Sequence, residues 1–227
     1  MDTAGKREQV RKVFESISSK YDLIDTLISF AQDQRWRRKA VSLLGIGGNE
    51  RVVDCGAGTG KVTRMIREAC PGCQVYAVDI TEGMLSRANI PGVRFILAPA
   101  ENIPIEDSSI DAVISAFLTR NLESLEGYFS EAFRILRPGG RFVNLDIFNP
   151  TDGGAMRILF PPYFYRIVPA IGDLLTSSSS YSYLARSVRG GFRRPEEIAG
   201  MISSAGFRKV ETVRLAMGTV WIHRAFK

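Results

Sequence analysis

Val52 to Thr63, VVDCGAGTGKVT, decides how this chain is read. It opens with residues suited to a buried strand, then places Gly56, Gly58 and Gly60 within five positions. A P-loop needs G-x-x-x-x-G-K-[ST]. Aligned on Gly60-Lys61, Cys55 falls where the first glycine belongs and Val62 where the hydroxyl belongs, so that pattern fails twice. The dinucleotide fingerprint G-x-G-x-x-G accepts Gly56 and Gly58 but meets Lys61 at its third glycine. What stands is G-x-G-x-G directly after a strand. Residues without a Cβ let the chain turn sharply and let a ligand lie against the peptide groups. The helix that follows offers an amide-rich N-terminus to an anion. A second predicted strand ends in Asp79, about 20 residues on, where a ribose-binding carboxylate is expected.

Working outward, short β-branched runs predict strands at Arg51 to Cys55, Gln74 to Asp79, Val93 to Ala98, Ile110 to Ser115 and Arg141 to Ile147. Helices are predicted between them at Lys61 to Ala69, Glu82 to Ala88 and Glu123 to Leu136. The last carries a one-sided apolar stripe and is expected to stop at Arg137-Pro138-Gly139-Gly140. Alternating strands and helices imply a parallel sheet with right-handed crossovers. After a helix at Pro195 to Ala205, Phe207 to Val213 and Met217 to Phe226 follow so closely that they should pair antiparallel. The expected organisation is one α/β domain, 1–227. It comprises a helical cap (7–44, broken near Ser18 to Asp22), a core (51–147), an aromatic insertion (149–194) and a closing segment (195–227).

The 227 residues are 45% hydrophobic and have a mean hydropathy near zero, as in an ordinary globular chain. The polar start MDTAGKREQV has no secretory signal, and no apolar run reaches the roughly 18 residues of a spanning helix. A cytoplasmic protein is expected. The net charge of +6 is spread over small groups, Lys6/Arg7, Arg11/Lys12, Arg35 to Lys39 and Arg186 to Arg194, with no nucleic-acid motif. A solvated basic face is favoured over an anionic partner. Three cysteines cannot build a disulfide framework. Cys70-Pro71-Gly72-Cys73 has redox spacing but falls in a loop after a helix, where no helix N-terminus lowers a thiol pKa. No metal site is expected, because too few ligands remain.

With Asp79, LRPGGRF after the last core helix and the antiparallel closing pair, the set resembles the class I S-adenosylmethionine (SAM) methyltransferases. That resemblance implies a Rossmann-like fold, a mainly parallel seven-stranded sheet with an antiparallel final strand and helices on both faces. It implies SAM as cofactor, bound by Asp54, Gly56, Ala57, Gly58, Thr59, Gly60, Asp79, Ile80, Met84, Ala100, Glu101 and Ser115. Pro99 stands where many such enzymes carry Asp or Asn, which leaves adenine recognition to backbone groups near Ala100 and Glu101. The flanks go further. VFESISSKYDLIDTLISF with RWRRKAV, ISAFLTRNLES, YLARSVRGGFRRPEEIAGMISSAGF and GTVWIHRAFK resemble the ubiquinone/menaquinone biosynthesis C-methyltransferases along essentially the whole chain.

This second resemblance implies ring-carbon methylation of a demethylmenaquinol-like polyprenyl quinol, with Arg120, Asn121 and Tyr21 beside the reacting ring. A ring carbon attacks well only when the neighbouring phenol is ionised, which costs about 4 kcal/mol at pH 7 for a pKa near 10. A cation or hydrogen-bond donors near that oxygen lower the cost. Phe160, Tyr163, Phe164 and Tyr165 are expected to receive the prenyl tail; for the insertion a lid packed on the core is slightly favoured over peripheral contact with a membrane surface, which is left open. His223 is expected to make a structural hydrogen bond. Nucleic acid is not an expected partner, and a homodimer is left open. Open alternatives are a SAM methyltransferase of another small molecule or of RNA, and a SAM-binding protein without turnover.

Overall fold

The computed structural model describes residues 3–150, 154–176, 180–182 and 193–227. Parts of the aromatic insertion and of the Arg186 to Arg194 basic group lie outside the described residues. One sheet organises the rest, in the order β3-β2-β1-β4-β5-β7-β6. Its strands are β1 (Arg51–Cys55), β2 (Gln74–Asp79), β3 (Val93–Leu97), β4 (Ile110–Ala116), β5 (Leu136–Ile147), β6 (Arg208–Leu215) and β7 (Val220–Phe226). β7 runs antiparallel to both of its neighbours and the other pairings are parallel.

The central strands are apolar on both faces because both faces are covered. All seven residues of β4 are buried. In β1, Val53 packs with Tyr128, Phe129 and Phe142 on one face. Val52 packs with Val41, Leu44 and Ile66 on the other. The first face is closed by α6 (Leu125–Ile135) and α9 (Pro195–Ser204), the second by α3 (Asp33–Leu44) and α4 (Lys61–Ala69). α6 begins where Ser124 Oγ accepts the Gly127 N–H at 2.9 Å, an ordinary N-cap.

β5 begins five residues before the expected Arg141. Leu136 pairs with Ile110, and Gly139 and Gly140 exchange backbone bonds with Lys227, so sheet pairing carries the chain straight out of α6. Pro138 is accommodated beside the register shift between Ile110 and Ala112. The helical cap has three helices: α1 (Thr3–Ile17), α2 (Tyr21–Ile28) and α3. Besides the expected break, the chain turns again at Phe30 and Ala31, both at positive φ (51° and 59°). α5 (Glu82–Ala88) follows β2. The insertion folds as α7 (Ala155–Pro162), a π-helical turn (Tyr163–Ile167) and α8 (Val168–Thr176). Among the described residues no helix is long and apolar enough to cross a membrane. Cys70 and Cys73 are joined by a disulfide that closes the turn from α4 into β2, and Cys55 is free and buried.

Candidate active site

The chain crosses from the β2 side of β1 to β4 on its other side, and at that switch the C-terminal strand ends part to form a crevice. The glycine loop lines it. Gly56, Gly58 and Gly60 adopt φ of +67°, +55° and +81°. A Cβ on Gly56 would come within 2.7 Å of Leu118, and one on Gly60 within 2.8 Å of Ile90. A Cβ on Gly58 would meet nothing within 4 Å, so it would enter the open space a ligand needs. The Gly56 and Ala57 N–H groups donate to Val78 O at 2.8 and 3.0 Å, which ties the loop to the end of β2.

Asp79 accepts the Gly58 N–H on Oδ2 and the Thr81 N–H on Oδ1, each at 2.9 Å. Burial pushes its carboxyl above the usual range against those bonds. Ala57, Thr59, Ile80, Met84, Ala100 and Glu101 complete the expected part of this wall. Asp54, Gly60 and Ser115 stand behind it, each for its own reason. Asp54 is 1% exposed and accepts the Thr63 hydroxyl at 2.6 Å, and burial pushes its pKa up to about 7. Gly60 turns the chain into α4 against Ala88 and Ile90. Ser115 donates to Asn144 on the adjacent strand at 2.9 Å.

The cap supplies wall residues that the pattern of glycines and acids did not disclose. Arg7, Val10 and Phe14 of α1 lie across the cavity. Arg7 pairs with Glu123 at 2.5 Å, Lys6 donates to Leu122 O, and Glu15 accepts the Gly83 N–H at 3.2 Å. Lys61, the first residue of α4, reaches Asp25 at 3.0 Å, Asp33 at 3.3 Å and Asp22 at 3.6 Å. Arg37 of α3 pairs with Asp25 at 2.9 Å and Asp33 at 3.5 Å. Thr59 donates to Asp22 at 2.7 Å. Burial alone would raise the Asp25 carboxyl, but the two cations overcome it and hold Asp25 below the usual carboxylate range.

A second cavity of about 950 Å³ lies between the cap and the insertion, at the upper end of the range for small-molecule sites. Its wall is largely apolar and aromatic: Ile28, Trp36, Phe160, Tyr163 and Phe164, with Tyr181 and Val220. Tyr165 stays outside the wall, edge-on to Phe164. The two cavities share Phe14, Tyr21, Phe117 and Asn121. Phe117 holds a rare φ of +61°. Arg37 lies 4.6 Å from its ring centroid and Trp36 meets it edge-on at 6.5 Å. Such strain persists only where the surroundings over-determine it.

Arg120 borders only the second cavity. Its Nε lies 3.5 Å from Asp146, a fully buried carboxylate that also accepts the Thr119 and Ile147 N–H groups. Asn121 donates to Phe117 O at 3.5 Å. Burial, with Asp25 close by, pushes the Tyr21 hydroxyl far above the ordinary phenol range. His223 lies away from both cavities and donates through Nε2 to Pro195 O at 2.9 Å.

A glycine loop and strand-terminal acid on a sheet of this order define the class I SAM methyltransferase fold. The chain belongs to the ubiE/COQ5 methyltransferase family, whose model matches residues 2–227. It is 38% identical over 218 residues to demethylmenaquinone methyltransferase of Thermus thermophilus, covering 93% of this chain and 98% of that one. It is 37% identical over 212 residues to the ubiquinone/menaquinone biosynthesis C-methyltransferase UbiE of Geobacter sulfurreducens, covering 89% and 82%. A SAM-dependent methyltransferase of Thermotoga maritima superposes with a TM-score of 0.70 at 20% identity, over 95% of this chain and 99% of that one. Phosphoethanolamine N-methyltransferase 2 of Haemonchus contortus in complex with SAM gives a TM-score of 0.61 at 15% identity, over 83% and 52%.

The geometry sets a direct test of the first cavity. Gly58→Val, which fills open space, and Asp79→Ala, which removes the carboxylate, should each weaken SAM binding by at least about tenfold in calorimetry. Circular dichroism should show the fold retained. Unchanged affinity in both variants contradicts this assignment of the cavity.

Proposed function

We propose that the chain is a SAM-dependent C-methyltransferase acting on a polyprenylated quinol of the demethylmenaquinol kind. The carrying observation is that a cofactor cavity and a large apolar cavity meet at one wall of four side chains. When bound, SAM supplies an electrophilic methyl group on a sulfonium. The glycine-loop amides and the start of α4 suit its carboxylate, Asp79 its ribose diol, and the Ile80 and Ala100 region its base. α1 covers that site and excludes water.

In the acceptor cavity the shared wall holds the ring, and positioning of this kind contributes about 7–11 kcal/mol to such reactions. Tyr21 remains an O–H donor at any working pH because burial keeps it protonated. Arg120 favours ionisation of the ring hydroxyl electrostatically, with Asp146 fixing its orientation and moderating its charge. Asn121 supports the ring edge. The aromatic insertion receives the prenyl tail at Phe160, Tyr163 and Phe164.

The mouth of the cavity supports a peripheral membrane contact. Phe30 (76% exposed), Leu159 (60%) and Met217 (69%) belong both to the cavity wall and to the surface. Arg35 and Lys39 are exposed on the same rim. Apolar side chains flanked by cations suit an anionic bilayer, from which a prenylated substrate would enter.

Two measurements test this reading. Labelled methyl transfer from SAM to a short-chain prenylated naphthoquinone should require a reductant, since only the hydroquinone yields an electron-rich phenolate. Equal transfer under strictly oxidising conditions contradicts the nucleophile. The protein should also sediment with anionic vesicles at low salt, and Phe30→Asp combined with Leu159→Asp should abolish this while leaving SAM binding intact. Sedimentation unchanged in that double variant places the membrane contact elsewhere.

A further inference from the structure

Asp25 differs from the other two carboxylates of the buried network. Asp33 is 0% exposed, with Oδ1 taken by Ser29 and Oδ2 by Lys61 and Arg37. Asp22 accepts Thr59 and is not part of the acceptor wall. Asp25 stands in that wall, and both of its cations, Arg37 at 2.9 Å and Lys61 at 3.0 Å, bind the same oxygen, Oδ2. Its Oδ1 has no hydrogen-bond partner among the described residues and is not sealed from the cavity.

Asp25 also lies four residues after Tyr21 on α2, so the two side chains share one helix face about one turn apart. Tyr21 is in the wall common to both cavities. The free oxygen therefore sits beside the place where the ring must lie. The paired cations keep Asp25 ionised, so Oδ1 accepts hydrogen bonds and donates none.

A quinol and its quinone have nearly the same shape and differ at the ring oxygens: one offers O–H, the other only a lone pair. We propose that Asp25 selects the reduced acceptor, its Oδ1 accepting a hydrogen bond from a ring hydroxyl. A quinone carbonyl placed there sets two acceptors against each other with no proton between them, in a cavity whose largely apolar lining offers little to offset the repulsion. Asp25 is thus a specificity residue that touches substrate and orients it, and the proton stays with the hydroxyl in the bound ground state. The inference rests on the quinol reading above.

The test is equilibrium dialysis under nitrogen with 2-methyl-1,4-naphthohydroquinone and with 2-methyl-1,4-naphthoquinone, without SAM, so that no turnover is needed. Wild type should prefer the hydroquinone by about tenfold or more, the usual size of a mismatch at a buried polar group. Asp25→Asn, whose carboxamide can donate to a carbonyl, should bring the two affinities to within about threefold. Asp33→Asn disturbs the same network at a carboxylate of the same wall whose two oxygens are already taken and should keep the preference, as should Asp25→Glu, which retains a carboxylate. Circular dichroism checks each fold, and Asp25→Ser replaces Asp25→Asn if that variant does not fold. Equal binding of both rings by wild type, a preference kept in Asp25→Asn, or one lost equally in Asp33→Asn overturns the inference and leaves the quinol reading standing. A wild type that binds neither ring overturns both.

Discussion

The ammonium of Lys61 is the point on which both cavities depend. It opens the helix that follows the glycine loop, and it reaches three acids of the cap, Asp22, Asp25 and Asp33. Arg37 binds two of the same acids from α3. Two cations and three carboxylates in a largely buried cluster are expensive to desolvate, and removing one partner of such a pair typically costs about 3–5 kcal/mol. What the cluster contributes is position. It sets α2 and α3 against the loop, and so places Tyr21 and Asp25 in the wall of the second cavity and Arg37 against Phe117. Without it the cap would keep the α1 contacts of Arg7, Lys6 and Glu15 but lose most of the polar tie between α2, α3 and the glycine loop.

The sheet provides the other half of the constraint. Parallel strands parting between β1 and β4 leave a crevice at their C-terminal ends, and the residues that leave those ends carry the unusual backbone. The glycines after β1 take positive φ without a Cβ to obstruct the cavity. Phe117 after β4 takes it at a steric cost and gains a fixed place between Arg37 and Trp36. The loop after β1 therefore lines the first cavity, and Phe117 after β4 stands in the wall between the two.

Local pattern was sufficient where local physics decides. β1 and β2 fall on their predicted residues because an apolar β-branched run bounded by glycines or an acid has few other solutions. β5 began earlier than expected because pairing with Ile110 and Lys227 outweighed the turn preference of Pro138-Gly139-Gly140. Within the site, nine of the twelve residues named as cofactor contacts stand in the wall, while Asp54, Gly60 and Ser115 shape it from behind. Spacing alone cannot separate a residue that faces a ligand from one that holds the loop. The wall of the second cavity was less legible still, since α1 to α3, the end of β4, the insertion and the β6–β7 turn all contribute. Sequence pattern shows Lys61 as a letter of two glycine motifs and the start of a helix but not as an ion-pairing residue, because its partners lie 28 to 39 positions away.

The central claim is that methyl transfer crosses the wall formed by Phe14, Tyr21, Phe117 and Asn121, onto a ring carbon held beside it. The most direct measurement is to supply SAM carrying a carbon-13 methyl with a reduced, prenylated naphthoquinol and to locate the label by NMR. A label on the ring carbon next to a hydroxyl is the predicted result. A label on oxygen, or no transfer to any reduced prenylated ring while SAM binds normally, would contradict the account.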